Sequence, residues 1–198
     1  MIPSTTLLWL ASESPRRAEL LRRLGIPFRT ESPAVAELEE GFPARELPLR
    51  NAMLKADAVA GRHPDDWVLG ADTVILLDGK IFGKPRDPVE AAAFLRLFSG
   101  RAHEVLTGVS LVCRNRRQRE DFTANTRVWF HTLSEAAIAE YLRRVKVLDK
   151  AGAYAIQEHG ELLIERIEGD YDNVIGLPTA AVAAALRRLK VTADLNQR

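Results

Sequence analysis

The run of residues from Trp67 to Leu77 constrains the fold of this chain more than any other feature. The run is strongly apolar and contains several β-branched residues, a composition that predicts a buried strand. Asp78-Gly79 follows at once, and this pair is the strongest short-range signal for a hairpin turn. A sheet in which the chain turns back directly after this strand is therefore expected.

Further strands and helices follow one another without strict alternation. Strands are predicted at residues 7–11, 26–30, 103–112, 123–132 and 161–167, and helices at residues 15–24, 49–60, 88–98, 135–145 and 178–189. Residues 32–48 are rich in proline and predict a loop, and residues 114–121 predict a polar turn. We expect an α/β fold with a mixed twisted sheet and flanking helices.

Composition limits the classes of protein to consider. A chain of 198 residues can form one domain with a full core, or two small lobes that share one cleft. Its net charge of +1 gives no broad footprint for nucleic acid or an anionic membrane, so we expect neither as a partner. Cys113 is the only cysteine, and the four histidines lack metal-ligand spacing. Residues 7–11 are too short for a signal-peptide core or a membrane span, so we expect a cytoplasmic protein.

Ser14-Pro15-Arg16-Arg17 opens the first predicted helix, with Ser14 as the N-cap and Pro15 at the first helical position. The first turn of a helix favours acidic side chains, and placing arginines there costs roughly 0.3–1 kcal/mol unless an anion offsets it. A bound phosphate would use the free N–H groups and the guanidinium groups together. Two solvated surface arginines are the alternative.

Asp72 lies inside the apolar run, where an aspartate is unfavourable in a strand and costly to bury without a partner. It could hold a metal or activate water, or it could merely interrupt the strand and accept backbone N–H groups. Lys55 and Lys84 are, taken singly, typical solvated lysines. Together with Asp72 they would suit the charge of a triphosphate.

Two later segments, residues 150–157 and 169–178, combine glycine with polar residues between apolar stretches. Loops of this kind often carry function on a rigid scaffold, and plain turns have the same composition.

Taken in chain order, these segments resemble the Maf family. The resemblance rests on residues 10–21, Lys55-Ala56, Gly70-Ala71-Asp72-Thr73, Gly83-Lys84-Pro85, Ser99-Gly100, Thr107-Gly108-Val109 and the segments 150–157 and 169–178. It covers roughly residues 7 to 189. It implies that residues 1–198 form a single domain of two lobes around a central cleft, similar to the inosine triphosphate pyrophosphatases, and that the protein is a homodimer.

The resemblance also implies an activity, which is hydrolysis of nucleoside triphosphates to the monophosphate and pyrophosphate with a divalent cation, Mg²⁺ or Mn²⁺. Asp72 would be the catalytic base and, with Glu37, a metal ligand. Lys55 and Lys84 would bind the phosphates. Apart from the resemblance, the place of Arg17 at the start of the first predicted helix favours phosphate contact for it as well.

Three further positions, Arg16, Thr73 and Gln157, match those that the family associates with substrate choice. An arginine, a threonine and a glutamine at these positions resemble the subgroup that acts on dTTP and UTP. The subgroup that acts on 7-methyl-GTP typically has a tryptophan, a glutamine and a glutamate there. The same chemistry on such modified nucleotides is therefore an alternative.

The chain departs from the family pattern at two places. An Asp-Glu pair is common after the second strand, where this chain has Ala36-Glu37, and Glu39 and Glu40 lie close by. Glu158-His159 stands where smaller residues are usual.

Two other classes of function compete with this interpretation. A non-catalytic nucleotide-binding regulator of cell division would need the binding residues but not Asp72. A nucleic-acid-binding module could use the basic run of residues 114–119, but the run has no interleaved aromatic residues and fits a solvated hairpin turn better. An aspartate-nucleophile phosphatase is excluded by spacing, since no second aspartate lies two residues after Asp72.

Overall fold

A computed structural model describes residues 7–191 of the chain. The chain divides into two compact units. The first unit contains the chain up to Asp72, residues 107–124 and the segment from Gly176 onward, and the second unit contains residues 73–106 and 125–175. The outermost residues of the predicted domain 1–198 lie outside the described part.

Strands and helices within residues 7–191 have the following bounds. The strands are β1 (Leu8–Ala11), β2 (Arg29–Glu31), β3 (Trp67–Leu77), β4 (Lys80–Phe82), β5 (Ala102–Cys113), β6 (Gln118–Phe130) and β7 (Ile164–Glu168). The helices are α1 (Pro15–Arg23), α2 (Leu47–Arg62), α3 (Pro88–Phe98), α4 (Glu135–Arg144), α5 (Tyr171–Ile175) and α6 (Thr179–Arg188). None of these helices is both long and apolar enough to cross a membrane.

The strands form one mixed sheet in the order β2-β1-β3-β5-β6-β7, and β4 pairs with β3. β1 is parallel to both β2 and β3. β4 is antiparallel to β3, and β7 is antiparallel to β6. A mixed sheet with flanking helices confirms the predicted α/β class.

Local side-chain chemistry determines several element boundaries. The side chains of Ser14, Asp87 and Ser134 each accept a backbone N–H from the first turn of the helix that follows, as N-cap residues do. Asp78 and Gly79 both take positive φ, 51° and 77°, as a two-residue hairpin turn of type I′ requires. The predicted caps and hairpin are thus confirmed.

The prediction for the second strand was wrong in its position. β2 covers Arg29–Glu31 rather than residues 26–30, because Pro27 has no N–H to give to a neighbouring strand. α2 begins at Leu47, two residues before its predicted start, because Pro48 is readily accommodated in the first turn of a helix.

The observed elements also differ from the predicted ones in the last third of the chain. β7 begins at Ile164, later than predicted, because residues 160–162 form a 3₁₀ turn. The predicted loop 169–178 contains the short helix α5. Its entry is stabilised by the Asp170 carboxylate, which accepts the Asp172 N–H at 2.8 Å.

The basic run forms the turn between β5 and β6. Residues 114–117 form an exposed turn, shorter than the predicted turn because β6 begins at Gln118. Arg119, inside β6, forms an ion pair with Asp57 of α2. The prediction of an exposed hairpin turn is confirmed.

In the first unit, α2 approaches the sheet closely at two glycines. A Cβ atom at Gly70 of β3 would lie 2.3 Å from the carbonyl oxygen of Ala52 and 2.8 Å from the backbone nitrogen of Ala56. A Cβ atom at Gly108 of β5 would lie 2.3 Å from the backbone nitrogen of Leu49. Real Cβ atoms do not approach backbone this closely, so only glycine allows α2 to pack here.

In the second unit, a buried aromatic cluster surrounds His103. The centroid of the His103 ring lies 4.7 Å from that of the Phe98 ring and 5.0 Å from that of the Phe130 ring. His103 Nε2 is 2.8 Å from the Tyr154 hydroxyl. Burial lowers the pKa of His103 to about 3, so the ring is neutral at pH 7. The cluster anchors Tyr154 and with it the segment that leads to Gln157.

Candidate functional site

A buried ion pair connects β3 with α2 in the first unit. Lys55 Nζ lies 2.6 Å from Asp72 Oδ1, and each side chain is 8% exposed. Asp72 does not interrupt the strand, because β3 continues through it from Trp67 to Leu77. Removing two charges from water is costly, and such a pair is weak evidence for a stabilising role. The pair is therefore a candidate functional site rather than a source of stability.

Glu37 brings a second carboxylate to the same lysine. Glu37 Oε1 lies 2.6 Å from Lys55 Nζ, although the glutamate side chain is 51% exposed. The structure therefore places Asp72, Glu37 and Lys55 together, with the ammonium group between two carboxylates. The catalytic and metal-binding roles of these residues stay predictions.

The two carboxylates fit a divalent cation of the Mg²⁺ type. Mg²⁺ prefers oxygen ligands and usually takes only one or two protein carboxylates, with water and substrate phosphates completing its shell. Among residues 7–191, no group of three or more His, Cys, Asp or Glu side chains could hold a metal ion. Asp72 and Glu37 together supply the one or two carboxylates that such a cation usually takes from protein, and their role as its ligands stays a prediction.

Arg17 adds positive charge to this part of the first unit. Its Nε donates to the carbonyl oxygen of Gly176 at 2.9 Å, and its Nη1 donates to Ser12 Oγ at 3.4 Å. Burial lowers the pKa of the Arg17 guanidinium, and the negative charges of Asp72 and Glu37 act in the opposite direction. Arg17 therefore lies within the electrostatic field of both carboxylates.

Ser12 was not among the predicted site residues. It is 6% exposed, and its Oγ accepts the Ser14 N–H at 3.2 Å as well as the Arg17 donor. Ser12 lies within the 10–21 segment that resembles the family, but nothing in that segment singled out its side chain. Ser12 links the start of α1 to the guanidinium of Arg17.

Two predicted specificity residues are sequence neighbours of the residues just described, because Arg16 precedes Arg17 and Thr73 follows Asp72. Arg16 is partly buried in the first turn of α1, which contains no acidic residue. As predicted, the first turn thus carries arginines in place of the acidic side chains that usually occur there. Thr73 follows Asp72 directly in β3 and is the first residue of the second unit.

Lys84 and Gln157 are exposed loop residues of the second unit. Their two loops are connected, because the Gly152 N–H donates to the carbonyl oxygen of Gly83 at 2.9 Å. The structure thus connects the segments that carry these two residues. Their convergence with Asp72 stays a prediction.

The segment before Gln157 is held by residues that were not predicted. The hydroxyl of buried Tyr141, on α4, accepts the Ala155 N–H at 2.9 Å. Lys150 is 6% exposed, and its Nζ lies 3.3 Å from Glu158 Oε1. No sequence pattern indicated Tyr141, because it lies on the apolar face of an ordinary amphipathic helix.

Comparison with solved structures identifies the class of fold. The Ham1 protein of Staphylococcus aureus matches 91% of this chain and 100% of its own chain, with a TM-score of 0.53 and 14% sequence identity. The two proteins therefore have similar folds.

Comparison of sequences identifies the family. The family model described as Maf-like protein matches residues 7–189, and the chain belongs to this family. This confirms the resemblance found in the ordered motifs.

Relatives within the family are similar over nearly their whole length. A dTTP/UTP pyrophosphatase of Akkermansia muciniphila is 47% identical over 96% of this chain and 98% of its own. That of Deinococcus radiodurans is 48% identical over 93% of each chain. That of Bacillus velezensis is 44% identical over 96% of this chain and 100% of its own.

Proposed function

We propose that this protein hydrolyses nucleoside triphosphates, above all dTTP and UTP, to the monophosphate and pyrophosphate. Such an enzyme clears these nucleotides from the cellular pool. The observation that carries the proposal is the buried Asp72–Lys55 pair with Glu37 on the same ammonium group. The dTTP/UTP pyrophosphatases that are 44–48% identical to the chain support the choice of substrate.

Asp72 is the proposed catalytic base. Its carboxylate accepts a proton from water as the water oxygen bonds to the α-phosphorus. The bond from the α-phosphorus to the bridging oxygen breaks, and that oxygen leaves with pyrophosphate. Lys55, 2.6 Å from Asp72 Oδ1, fixes the orientation of the carboxylate through this step and balances its charge.

Asp72 and Glu37 are the proposed protein ligands of the divalent cation, Mg²⁺ or Mn²⁺. When bound, the cation supplies positive charge that offsets the charge of the triphosphate. Lys55 contacts both carboxylates and balances part of their negative charge.

The remaining predicted residues divide between phosphate binding and base recognition. Lys84 and Arg17 offset negative charge on the phosphates, as preorganised cationic donors do in phosphoryl transfer. Arg16, Thr73 and Gln157 are the proposed specificity residues. A glutamine amide offers both a donor and an acceptor, and the edge of uracil or thymine requires both.

The wider proposals concern the assembly and its location. We propose that residues 1–198 act as one domain of two lobes, that the protein is a homodimer, and that it works in the cytoplasm. The family pattern supports the first two of these proposals.

Substrate selection is the most direct test of this function. Purified protein with Mg²⁺ or Mn²⁺ is expected to release pyrophosphate from dTTP and UTP with kcat/KM at least about tenfold above that for 7-methyl-GTP, since hydrogen-bonded base recognition discriminates by this much or more. The measurement is a steady-state panel over canonical and modified nucleotides. A preference for 7-methyl-GTP would contradict the substrate assignment. Nucleotide-induced thermal stabilisation without any turnover would favour the regulator instead.

A further inference from the structure

Asn51 makes an unusual pair of contacts in the first unit. It lies on α2, one turn before Lys55, and is 3% exposed. Its Oδ1 accepts the Leu38 N–H at 2.7 Å, and its Nδ2 donates to the Leu38 carbonyl oxygen at 3.0 Å. The side-chain amide thus pairs with both backbone groups of one loop residue, as a neighbouring strand would.

The Asn51–Leu38 contact holds the same loop that carries Glu37. Residues 32–46 connect β2 to α2 without regular secondary structure, and Glu37 within them is 51% exposed. An ion pair with so exposed a partner contributes little to holding a side chain in place. The contact between Glu37 and Lys55 therefore needs a backbone that is fixed by other means.

The residue that Asn51 holds, which we call the clamped residue, is next in the chain to the glutamate that contacts the lysine. Glu37 immediately precedes the clamped residue and contacts Lys55 Nζ. Glu39 and Glu40, which follow it, are exposed. Because Asn51 and Lys55 are one helical turn apart on the same helix, one rigid element holds both the backbone of the loop and the partner of its carboxylate.

We propose that Asn51 is a positioning residue, which holds the backbone at Leu38 so that the Glu37 carboxylate stays beside Lys55 and Asp72, where it can bind the divalent cation. The consequence for metal binding rests on the proposed function. The positioning itself is a property of the free protein and can be measured without metal or nucleotide.

The first measurement is amide hydrogen exchange of the free protein by NMR. Asn51→Leu has similar volume but no hydrogen-bonding group, and we expect the Leu38 amide to exchange about tenfold faster or more, because exchange follows local opening. Leu38→Ala is the matched control. It retains the backbone N–H and carbonyl group that the clamp uses, so its amide at position 38 should keep the wild-type protection. Asn51→Ala supplies a second variant without the amide if Asn51→Leu does not fold.

The second measurement is the Mn²⁺ concentration that half-activates dTTP hydrolysis. Loss of a residue that orients a metal ligand typically costs about 10–100-fold in metal affinity or activity, so we expect a shift of this size for Asn51→Leu and Asn51→Ala. Because Asn51 acts through Glu37, the double variant with Glu37→Gln should be no worse than Glu37→Gln alone. Leu38→Ala should keep the wild-type Mn²⁺ dependence.

Two results would overturn the positioning role: unchanged exchange at the Leu38 amide in both Asn51 variants, or fully additive losses in the double variant. A wild-type protein that hydrolyses no nucleotide would contradict the proposed function instead. In that case the exchange comparison between the Asn51 variants and Leu38→Ala still decides whether Asn51 holds the loop.

Discussion

Replacing Asp72 by asparagine is expected to lower kcat for dTTP by about 10²–10⁴-fold, the usual contribution of a positioned general base. Asparagine has nearly the same shape, and its amide oxygen can still accept a hydrogen bond from Lys55. It cannot take up the proton of the attacking water, and it is a poorer ligand for a divalent cation. The measurement is steady-state release of pyrophosphate at saturating dTTP and Mg²⁺.

A matched control for this substitution is Asp78→Asn. Asp78 lies in the β3–β4 turn at φ 51°, a conformation that asparagine accepts readily. Its side chain is 66% exposed and pairs with Arg101, a contact of the kind that contributes little. Asp78→Asn should therefore keep the wild-type kcat. Equal activity of the wild type and Asp72→Asn would remove Asp72 from the mechanism.

Gly70→Ala is expected to lower the free energy of unfolding by about 3 kcal/mol, at the upper end of the usual cost of overpacking. The added Cβ would lie 2.3 Å from the carbonyl oxygen of Ala52 and 2.8 Å from the backbone nitrogen of Ala56. Both are helix backbone atoms, so α2 itself must shift away from β3. Such a shift would also separate Lys55 from Asp72 and reduce activity. Urea unfolding, followed by an activity assay on the folded variant, measures both effects.

Gly83→Ala is the control for the glycine substitution. A Cβ atom at Gly83 meets nothing within 4 Å, so we expect a change in stability below about 1 kcal/mol, the range for Gly→Ala at unstrained positions. If Gly70→Ala unfolds at the same urea concentration as the wild type, close approach of α2 to β3 does not determine the packing of the first unit.

The parts of the fold that could be predicted from sequence are those with a local chemical cause. Ser14, Asp87 and Ser134 cap helices through their own side chains, and Asp78-Gly79 forms its turn through its own backbone preference. Boundaries that depend on partners elsewhere were less predictable. Pro27 limits where the three-residue strand β2 can start, but its extent follows its pairing with β1. The five-residue helix α5 is too short for a periodic pattern.

The residues of the candidate site also differ in whether the sequence could indicate them. Asp72 stood out in the sequence because an unpaired aspartate is costly to bury, and its contact with Lys55 supplies the partner that this cost requires. The cause of that contact, the glycine at position 70 against α2, was not visible without the structure. Asn51 and Ser12 were also missed, because each acts through a backbone or guanidinium contact that no composition pattern encodes.

The central claim is that water attacks the α-phosphorus of a nucleoside triphosphate. The most direct test is the reaction of dTTP with the wild-type protein and Mg²⁺ in ¹⁸O-labelled water, with the products identified by mass spectrometry. We predict dTMP and pyrophosphate, with the label in dTMP. Formation of dTDP and phosphate, or a label in pyrophosphate instead of dTMP, would contradict the claim.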